Sequence, residues 1–469
     1  VPQILLFNPP IPGGRKHTRE GRCTQAAGLW ATQWPPLSLA TTAAFLERDG
    51  HTVRVVDFPA KNKNTTDLLR LIEKERPDIA VWSTGTPTLE SDLGLARVIK
   101  RIAPATITAV LGTHVSVQPQ KVLEVSGVDA VIRREPEQTI RELCLDISGS
   151  WRAVAGLSYR ETGTAKIRHN PDRKFLNPED IPPPAWHLLD IRPYRLPLRG
   201  RNFLMVAPIR GCIYPCNFCT AAIYYGKKPR RRPVSLVIDE IEAGIERHRV
   251  HDYFIWADTF TIDQKYVRRF CRAIISRGLN ISWACNSRVD TVDRDLLVLM
   301  RKSGLWMISF GIESGKQAIL DQTGKQITVQ QSRTAVQTAH ALGIKTSGHF
   351  ILGLAGETQT SMQDTLRLAL ELPLDIAQFY AAAPFPGTGL YTQAIERQWL
   401  TDKVSVSQSR AAMHLPGLSA QEVDRFRKHA YRKFYLRADT ARRLMSMLKP
   451  GAIRDVPVNV WGFLRWAAG

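Results

Sequence analysis

Cys212, Cys216 and Cys219 stand in the spacing Cys-x-x-x-Cys-x-x-Cys. Thiolate is the usual protein ligand of iron–sulfur clusters, and three of them on one short loop suffice for three irons of a 4Fe–4S cube. The fourth iron then lacks a local protein ligand, and an open metal position is where a small molecule binds and reacts. A zinc knuckle or a disulfide loop is the competing reading. Zinc usually takes four ligands, and neither a histidine nor a fourth cysteine follows at zinc spacing.

Other residues able to do chemistry follow short apolar runs. Asp258 comes after Trp256 and Ala257 and offers a hydrogen-bond acceptor; alternatively it or Thr259 caps a helix. Arg288 carries a planar guanidinium that suits a ligand carboxylate or a structural acid equally. Glu313 and Ser314 lie between Gly311 and Gly315, and Gly353 and Gly356 precede Glu357. Glycines at such places let backbone approach a ligand closely. Nearer the amino terminus, Ser83, Thr84 and Gly85 follow one apolar run, Gly112, Thr113 and His114 a second, and Glu135 a third.

The cysteine spacing resembles the radical S-adenosylmethionine superfamily, and the likeness covers most of residues 1–395. In that family the methionine amino and carboxylate groups chelate the unique iron. Electron transfer into the sulfonium then yields a 5′-deoxyadenosyl radical, so the cofactor supplies the chemistry and the protein positions it. The resemblance implies that Asp258 accepts from the methionine amino group, with Arg288 a candidate to bind S-adenosylmethionine through its carboxylate or to pair with a structural acid. It places Glu313, Ser314, Gly353 and Gly356 along the methionine, ribose and adenosine. It also implies an external electron donor of flavodoxin or ferredoxin type.

The segments Asn8–Pro10, Trp34–Leu37, Gly112-x-His114 and Arg134–Glu137 resemble the cobalamin-binding domain of one branch of that superfamily. This implies cobalamin contacts from Ser83, Thr84, Gly85, Gly112, Thr113, His114 and Glu135. The Asp-x-His-x-x-Gly motif that supplies a lower axial histidine in many such domains is absent, so no motif histidine is expected beneath the cobalt. The branch includes carbon methyltransferases and the anaerobic magnesium-protoporphyrin monomethyl ester cyclase. It implies methylation of an unactivated carbon of a small molecule, with cyclisation or rearrangement without methyl transfer as the alternative. A radical RNA methylthiotransferase would bring a further cysteine set, which residues 1–150 lack. An iron–sulfur electron carrier or sensor would leave the downstream polar residues without a purpose.

These residues need strand ends to position them. Residues 1–140 alternate short apolar runs (Ile4–Phe7, Thr52–Asp57, Ile79–Trp82, Ile107–Leu111, Asp129–Ile132) with helical patterns such as Leu37–Leu46 and Thr66–Glu75. That alternation predicts a doubly wound, flavodoxin-like parallel sheet, in which ligands bind beyond the carboxyl ends of the strands. Residues 141–200 read as a connector, with a small hairpin within Ala153–Arg168 and proline-fixed extended chain thereafter. Residues 201–395 alternate again, with strands predicted at Phe203–Val206, Tyr253–Trp256, Ile281–Trp283, Met307–Phe310, His349–Leu352 and Ala377–Tyr380. Six strand–helix units suit the superfamily's partial barrel, with function on the loops at the strand carboxyl ends. Residues 396–469 read as helical, most clearly over Gln421–Leu444. The aromatic tail Trp461–Trp466 reads as a cap on the barrel or a membrane contact.

Composition bounds the rest. The 469 residues, 44% hydrophobic and 23% charged, suit two or three globular domains. No run of eighteen apolar residues predicts a membrane span. Seven cysteines in such a chain make no disulfide framework, and with an oxygen-sensitive cluster they favour a reducing cytoplasm, with a peripheral membrane association left open. Cys144, Cys271 and Cys285 read as buried small hydrophobes, whereas Cys23 sits in a polar segment that reads as a long functional loop. The net charge of +21 favours an anionic or amphipathic small-molecule substrate; without a recognisable module it is weak evidence for nucleic acid. The run Lys227–Arg232 reads equally as a solvated face or as a substrate-facing or membrane-facing patch.

Overall fold

The computed structural model describes every residue except 12, 14–16, 21–22, 27–32, 148–149, 162, 165, 197, 402–405 and 456–469, and omits the side chains of 23–26 and 453–455. The side chain of Cys23 and the aromatic tail therefore lie outside the described residues. The chain forms two compact units: Val1–Ala27, Ala31–Tyr194 and Thr220–Gly226 in the first, and Gly28–Trp30, Arg195–Cys219 and Lys227–Gly469 in the second.

In the first unit the chain runs β1 (Gln3–Asn8), β2 (His17–Glu20), β3 (Cys23–Ala26), α1 (Leu37–Arg48), β4 (Thr52–Asp57), α2 (Thr65–Glu75), β5 (Ile79–Ser83) and α3 (Leu89–Ile102). It continues through β6 (Ile107–Leu111), α4 (Thr113–Val117), α5 (Pro119–Val125), β7 (Ala130–Ile132), α6 (Glu137–Leu145), β8 (Leu157–Arg160) and β9 (Ile167–His169). The sheet order is β4-β1-β5-β6-β7-β8-β9. The first five strands are parallel, as the alternating pattern predicts, because each returns through a helix. The hairpin predicted within the connector is present as β8 and β9, and it extends this sheet by two antiparallel strands. Leu5, Phe7, Ala80, Trp82, Val110 and Val131 from the parallel strands pack with Leu93, Ala96 and Ile99 of α3 in one core. Tyr194, the last residue of the unit's long segment, donates from its hydroxyl to Asp57 Oδ2 at 2.9 Å.

The segment expected to be a long loop is instead an antiparallel hairpin, β2 with β3. Buried charges fasten it, which a polar run does not reveal. Arg19, 2% exposed, donates through Nε and Nη2 to both oxygens of Asp92 on α3 at 3.0 and 2.8 Å. Its Nη1 donates to the Pro9 carbonyl, and Thr88 Oγ1 donates to Asp92 at 2.6 Å. Glu20 accepts from the backbone and hydroxyl of Ser38 in the first turn of α1.

In the second unit the order is β10 (Phe203–Val206), β11 (Ile209–Arg210), β12 (Arg230–Arg231), α8 (Val234–His248), β13 (Asp252–Ile255), α9 (Gln264–Ser276), β14 (Ser282–Ser287), α10 (Arg294–Lys302) and β15 (Leu305–Glu313). The short α7 (Ala221–Tyr225), between β11 and β12 in sequence, belongs to the first unit. There follow α11 (Gln317–Gln322), α12 (Val329–Ala341), β16 (Lys345–Leu352), α13 (Gln359–Glu371), β17 (Ile376–Ala381), α14 (Gly389–Glu396), α15 (Ala420–Tyr435) and α16 (Ala438–Met447). Six parallel strands stand in the order β10-β13-β14-β15-β16-β17, the expected partial barrel. The single helix expected over Gln421–Leu444 is two. It breaks at Leu436 and Arg437, where the chain turns extended and Arg437 donates to the Leu370 carbonyl.

Register fixes which side chains face the helices. Tyr253 bonds the Ile241 carbonyl of α8, Trp283 packs on Phe260 and Phe270, and Phe350 and Phe379 stack beneath Tyr431 of α15. Alternate residues of a strand face opposite sides. Asn286, Ser309 and Ser347 are therefore register partners on the other, inner face, as are Gly311, His349 and Gln378.

Replacing Arg19 with Met leaves Asp92 buried and unpaired, and we expect a loss of ~3–5 kcal/mol in the first unit. Adding Asp92→Leu should recover most of it. The urea midpoint of the first unit's transition reads both variants.

Candidate active site

The cluster loop begins where β11 ends, and its base is closed by the antiparallel pair β11–β12. The basic run contributes to that closure: Arg231 pairs with Asp263 at 2.6 Å, and buried Arg232 pairs with Glu240 at 2.6 Å. Arg231 and Arg232 are thus structural, while Lys227 and Lys228 are exposed. The loop's far side is clamped by a second segment. Asn217 donates from its backbone to the Thr323 carbonyl and from Nδ2 to that of Gln322, at 2.9 and 3.2 Å, and its own carbonyl accepts from Leu390. The three thiols are unbridged; Cys212 is 9% exposed and the other two half-buried. Among the described residues no three His, Cys, Asp or Glu side chains converge on a single-ion site. A cube takes one thiolate per iron, so its ligands need not converge.

The charges around the loop fit an anionic cluster. Arg288 Nη1 lies 3.9 Å from Cys216 Sγ, and its guanidinium lies 3.5 Å from the Tyr214 ring centroid. Its other nitrogens take both oxygens of Asp290 at 2.9 Å and the Lys325 carbonyl at 2.6 Å. Burial pushes the Cys216 thiol up to about 11, against the pull of Lys325 and Arg288. A bound metal would deprotonate it outright. The sequence reading missed Lys325. Its Nζ holds Glu313 Oε1 at 2.7 Å, both side chains buried. Burial works to lower the Lys325 pKa, but Glu313 and Cys216 outweigh it, so the ammonium is charged.

The remaining expected S-adenosylmethionine residues divide. Asp258 is half-buried beyond β13, and α9 is capped by Asp263 rather than by Asp258 or Thr259. The buried Ser314 hydroxyl lies 3.2 Å from Thr365 Oγ1 and accepts from the Lys316 backbone at 3.1 Å. Gly356 lies against the Gln322 side chain, next to the segment that clamps the cluster loop. Glu357 Oε2 accepts from the backbone of Gly353 and Leu354 at 2.5 and 3.1 Å, while its buried Oε1 has no hydrogen-bond partner. Burial raises Glu357 to about 8, so at pH 7 it is a neutral acid with a proton to donate. An unused buried donor here fits a polar ligand such as the cofactor. The inner face adds Asn286, His349, Gln378 and Tyr380, all half-buried among otherwise buried strand residues. Their alternation was visible in the sequence, but which parity faces inward was not.

In the first unit the expected cobalamin residues gather at three strand ends. Gly112 has φ +140°, and a Cβ there would lie 2.1 Å from the Thr84 carbonyl oxygen. Only glycine lets the loops after β5 and β6 approach so closely. His114 Nδ1 is 3.0 Å from Thr86 Oγ1, and burial with Lys121 lowers the ring to about 4, so it is neutral at pH 7. Glu135 stands after β7, and its Oε2 accepts from the Leu176 backbone at 3.0 Å. Asn8 ends β1 at the reversal of strand order, and its buried Oδ1 has no hydrogen-bond partner. An unsatisfied acceptor at that point fits a ligand edged with amides, as a corrin is.

The comparisons agree with this geometry. A model described as the radical SAM superfamily matches residues 206–369, and one described as the B12 binding domain matches residues 28–144. An uncharacterized methyltransferase of Pyrococcus horikoshii is 32% identical over 443 residues, covering 93% of each chain. The anaerobic magnesium-protoporphyrin IX monomethyl ester cyclase of Rubrivivax gelatinosus is 31% identical over 386 residues, 80% of this chain and 68% of that protein. The solved structure of the radical S-adenosylmethionine methyltransferase TsrM from Kitasatospora setae, with cobalamin and a [4Fe-4S] cluster bound, shares the fold. Its TM-score is 0.70 at 15% identity, with 96% of this chain and 90% of that chain covered. With its cluster loop, barrel and cobalamin-type strand ends, the chain belongs to the cobalamin-dependent radical S-adenosylmethionine enzymes, whose cofactors are a 4Fe–4S cluster, S-adenosylmethionine and cobalamin.

Proposed function

We propose that this enzyme transfers a methyl group to an unactivated carbon of a small molecule. The observation that carries the reading is the likeness to a methyltransferase across 93% of both chains, over cluster loop and cobalamin-type strand ends alike. When bound, the cluster and S-adenosylmethionine supply a carbon radical, and cobalamin carries the methyl group. The chain's own residues bind and orient. Cys212, Cys216 and Cys219 hold the cluster, and Arg288 with Lys325 offsets its charge. Asp258 accepts from the methionine amino group, Gly353 and Gly356 allow close backbone approach, and protonated Glu357 donates from Oε1. Ser83, Thr84, Gly85, Gly112, Thr113 and His114 line the cobalamin side, with Asn8 as a further acceptor.

The inner-face groups from Asn286 to Tyr380 are amides, hydroxyls and an imidazole. They suit an amphipathic, hydrogen-bonding substrate better than a strongly anionic one. No helix among the described residues is long and apolar enough to cross a membrane. An oxygen-sensitive cluster supports a cytoplasmic enzyme, and its need for an electron supports a flavodoxin- or ferredoxin-type donor. Radical cyclisation is the second reading, on the 31% identity to a cyclase over 80% of the chain.

Anaerobic purification with hydroxocobalamin, followed by cluster reconstitution, should give protein that retains both cobalt and iron through gel filtration. Cobalt lost while iron stays would sink the methyl-transfer reading and spare the radical one. Cys216→Ala should lose iron, and 5′-deoxyadenosine formation measured by chromatography should fall to background. Gly112→Ala should weaken cobalamin retention at least tenfold, about 1.4 kcal/mol, with iron content unchanged.

A further inference from the structure

Two ion pairs lie beside one cluster thiol, and the guanidinium of one faces it. Asp290 holds Arg288 from behind, and the guanidinium faces Cys216 Sγ at 3.9 Å. Glu313 holds Lys325. Lys325 directly follows a segment packed against both neighbours of Cys216: a Cβ on Gly324 would lie 3.0 Å from the Pro215 carbonyl oxygen, and the Thr323 carbonyl accepts from the Asn217 backbone at 2.9 Å. The two cations are linked, since Arg288 Nη2 donates to the Lys325 carbonyl.

The fold makes local concessions to place the Lys325–Glu313 pair. Glu313 has φ +65°, at a register shift between Gly311 and Glu313 in the pairing of β15 with β16. A residue other than glycine in that region is uncommon and is held there by its surroundings. A Cβ at Gly311 would lie 2.6 Å from Glu313 Oε1 and 2.8 Å from Lys325 Nζ, so a side chain there would displace the ends of the pair. A buried pair of this kind adds little stability over an apolar replacement, so stability alone does not account for it.

We propose that Lys325, held by Glu313, is a positioning residue that tunes the cluster's reduction potential. Accepting an electron adds negative charge beside Cys216. A fixed buried ammonium favours that charge, and the Glu313 carboxylate moderates it. Charge near the sulfurs and burial are recognised determinants of cluster potential. The inference rests on the three cysteines holding the cluster, and not on which reaction follows.

The test is a potentiometric titration of the reconstituted full-length protein, followed by electron paramagnetic resonance, without S-adenosylmethionine or substrate. Lys325→Met should move the midpoint negative by the equivalent of at least tenfold in the one-electron equilibrium, about 59 mV. Glu313→Gln should move it positive, and Lys325→Arg should stay near the parent value. Iron and sulfide content at parent level certifies an intact cluster in each variant. Midpoints unchanged, or moved in the same direction by Lys325→Met and Glu313→Gln, overturn the proposal. Should Lys325→Met fail to hold iron, Glu313→Gln decides alone: a positive shift supports the proposal, and none or a negative one overturns it. Because no methyl acceptor is present, failure here is separable from failure of the methyl-transfer reading.

Discussion

The second unit is organised by the need to hold negative charge inside a protein. Three thiolates on one loop carry more charge than the iron–sulfur core cancels, and charge in a low-dielectric interior is costly unless paired. The structure meets that cost with cations brought from far along the chain. Arg288 comes from the end of β14 and Lys325 from beyond α11. Each is fixed by its own carboxylate, Asp290 or Glu313, so each arrives oriented. The segment 322–325 does two jobs, since its carbonyls also clamp Asn217 of the cluster loop. Loop geometry and charge compensation are therefore mechanically one feature.

The first unit solves a different problem, which is close approach rather than charge. Its expected ligand residues sit on loops after β5, β6 and β7, and the first two of these loops converge because Gly112 lets one backbone rest against the other. Charge appears there as fastening. The Arg19–Asp92 pair and the Glu20–Ser38 contacts pin the β2–β3 hairpin to helices α3 and α1. A hairpin of such polar composition has little apolar area to bury. Buried, fully bonded polar groups give it a fixed position where hydrophobic packing cannot.

This division explains what was legible in the sequence. Strand and helix alternation is a local pattern, and β10 and β6 lie where the apolar runs put them. The three cysteines are local as well. The polar hairpin was not legible, because its stabilisation comes from Asp92, some seventy residues away. The break between α15 and α16 at Leu436–Arg437 was hidden by continuous helix formers, and it depends on the distant Leu370 carbonyl. Lys325 carries no signal at all in Gly324-Lys-Gln326; only its approach to Glu313 and Cys216 gives it meaning. Glu135 and Ser314 stand at the expected strand ends, and nothing in the sequence signals that each also bonds a distant partner, Leu176 and Thr365.

The same contrast qualifies the net charge of +21. Taken as a total, it favours an anionic substrate. Taken residue by residue, much of the basic charge nearest the chemistry is already spent. Arg231 and Arg232 close the base of the cluster loop, Arg288 and Lys325 answer the thiolates, and Lys345 is bound by Asp375. Among the described residues, the other polar groups that register places on the inner face beside these are neutral: Asn286, Ser309, Ser347, His349, Gln378 and Tyr380. Such groups read a substrate by hydrogen-bond geometry. Neutral groups there complement the charged cluster site, since an added charge nearby would perturb electron transfer to the cluster.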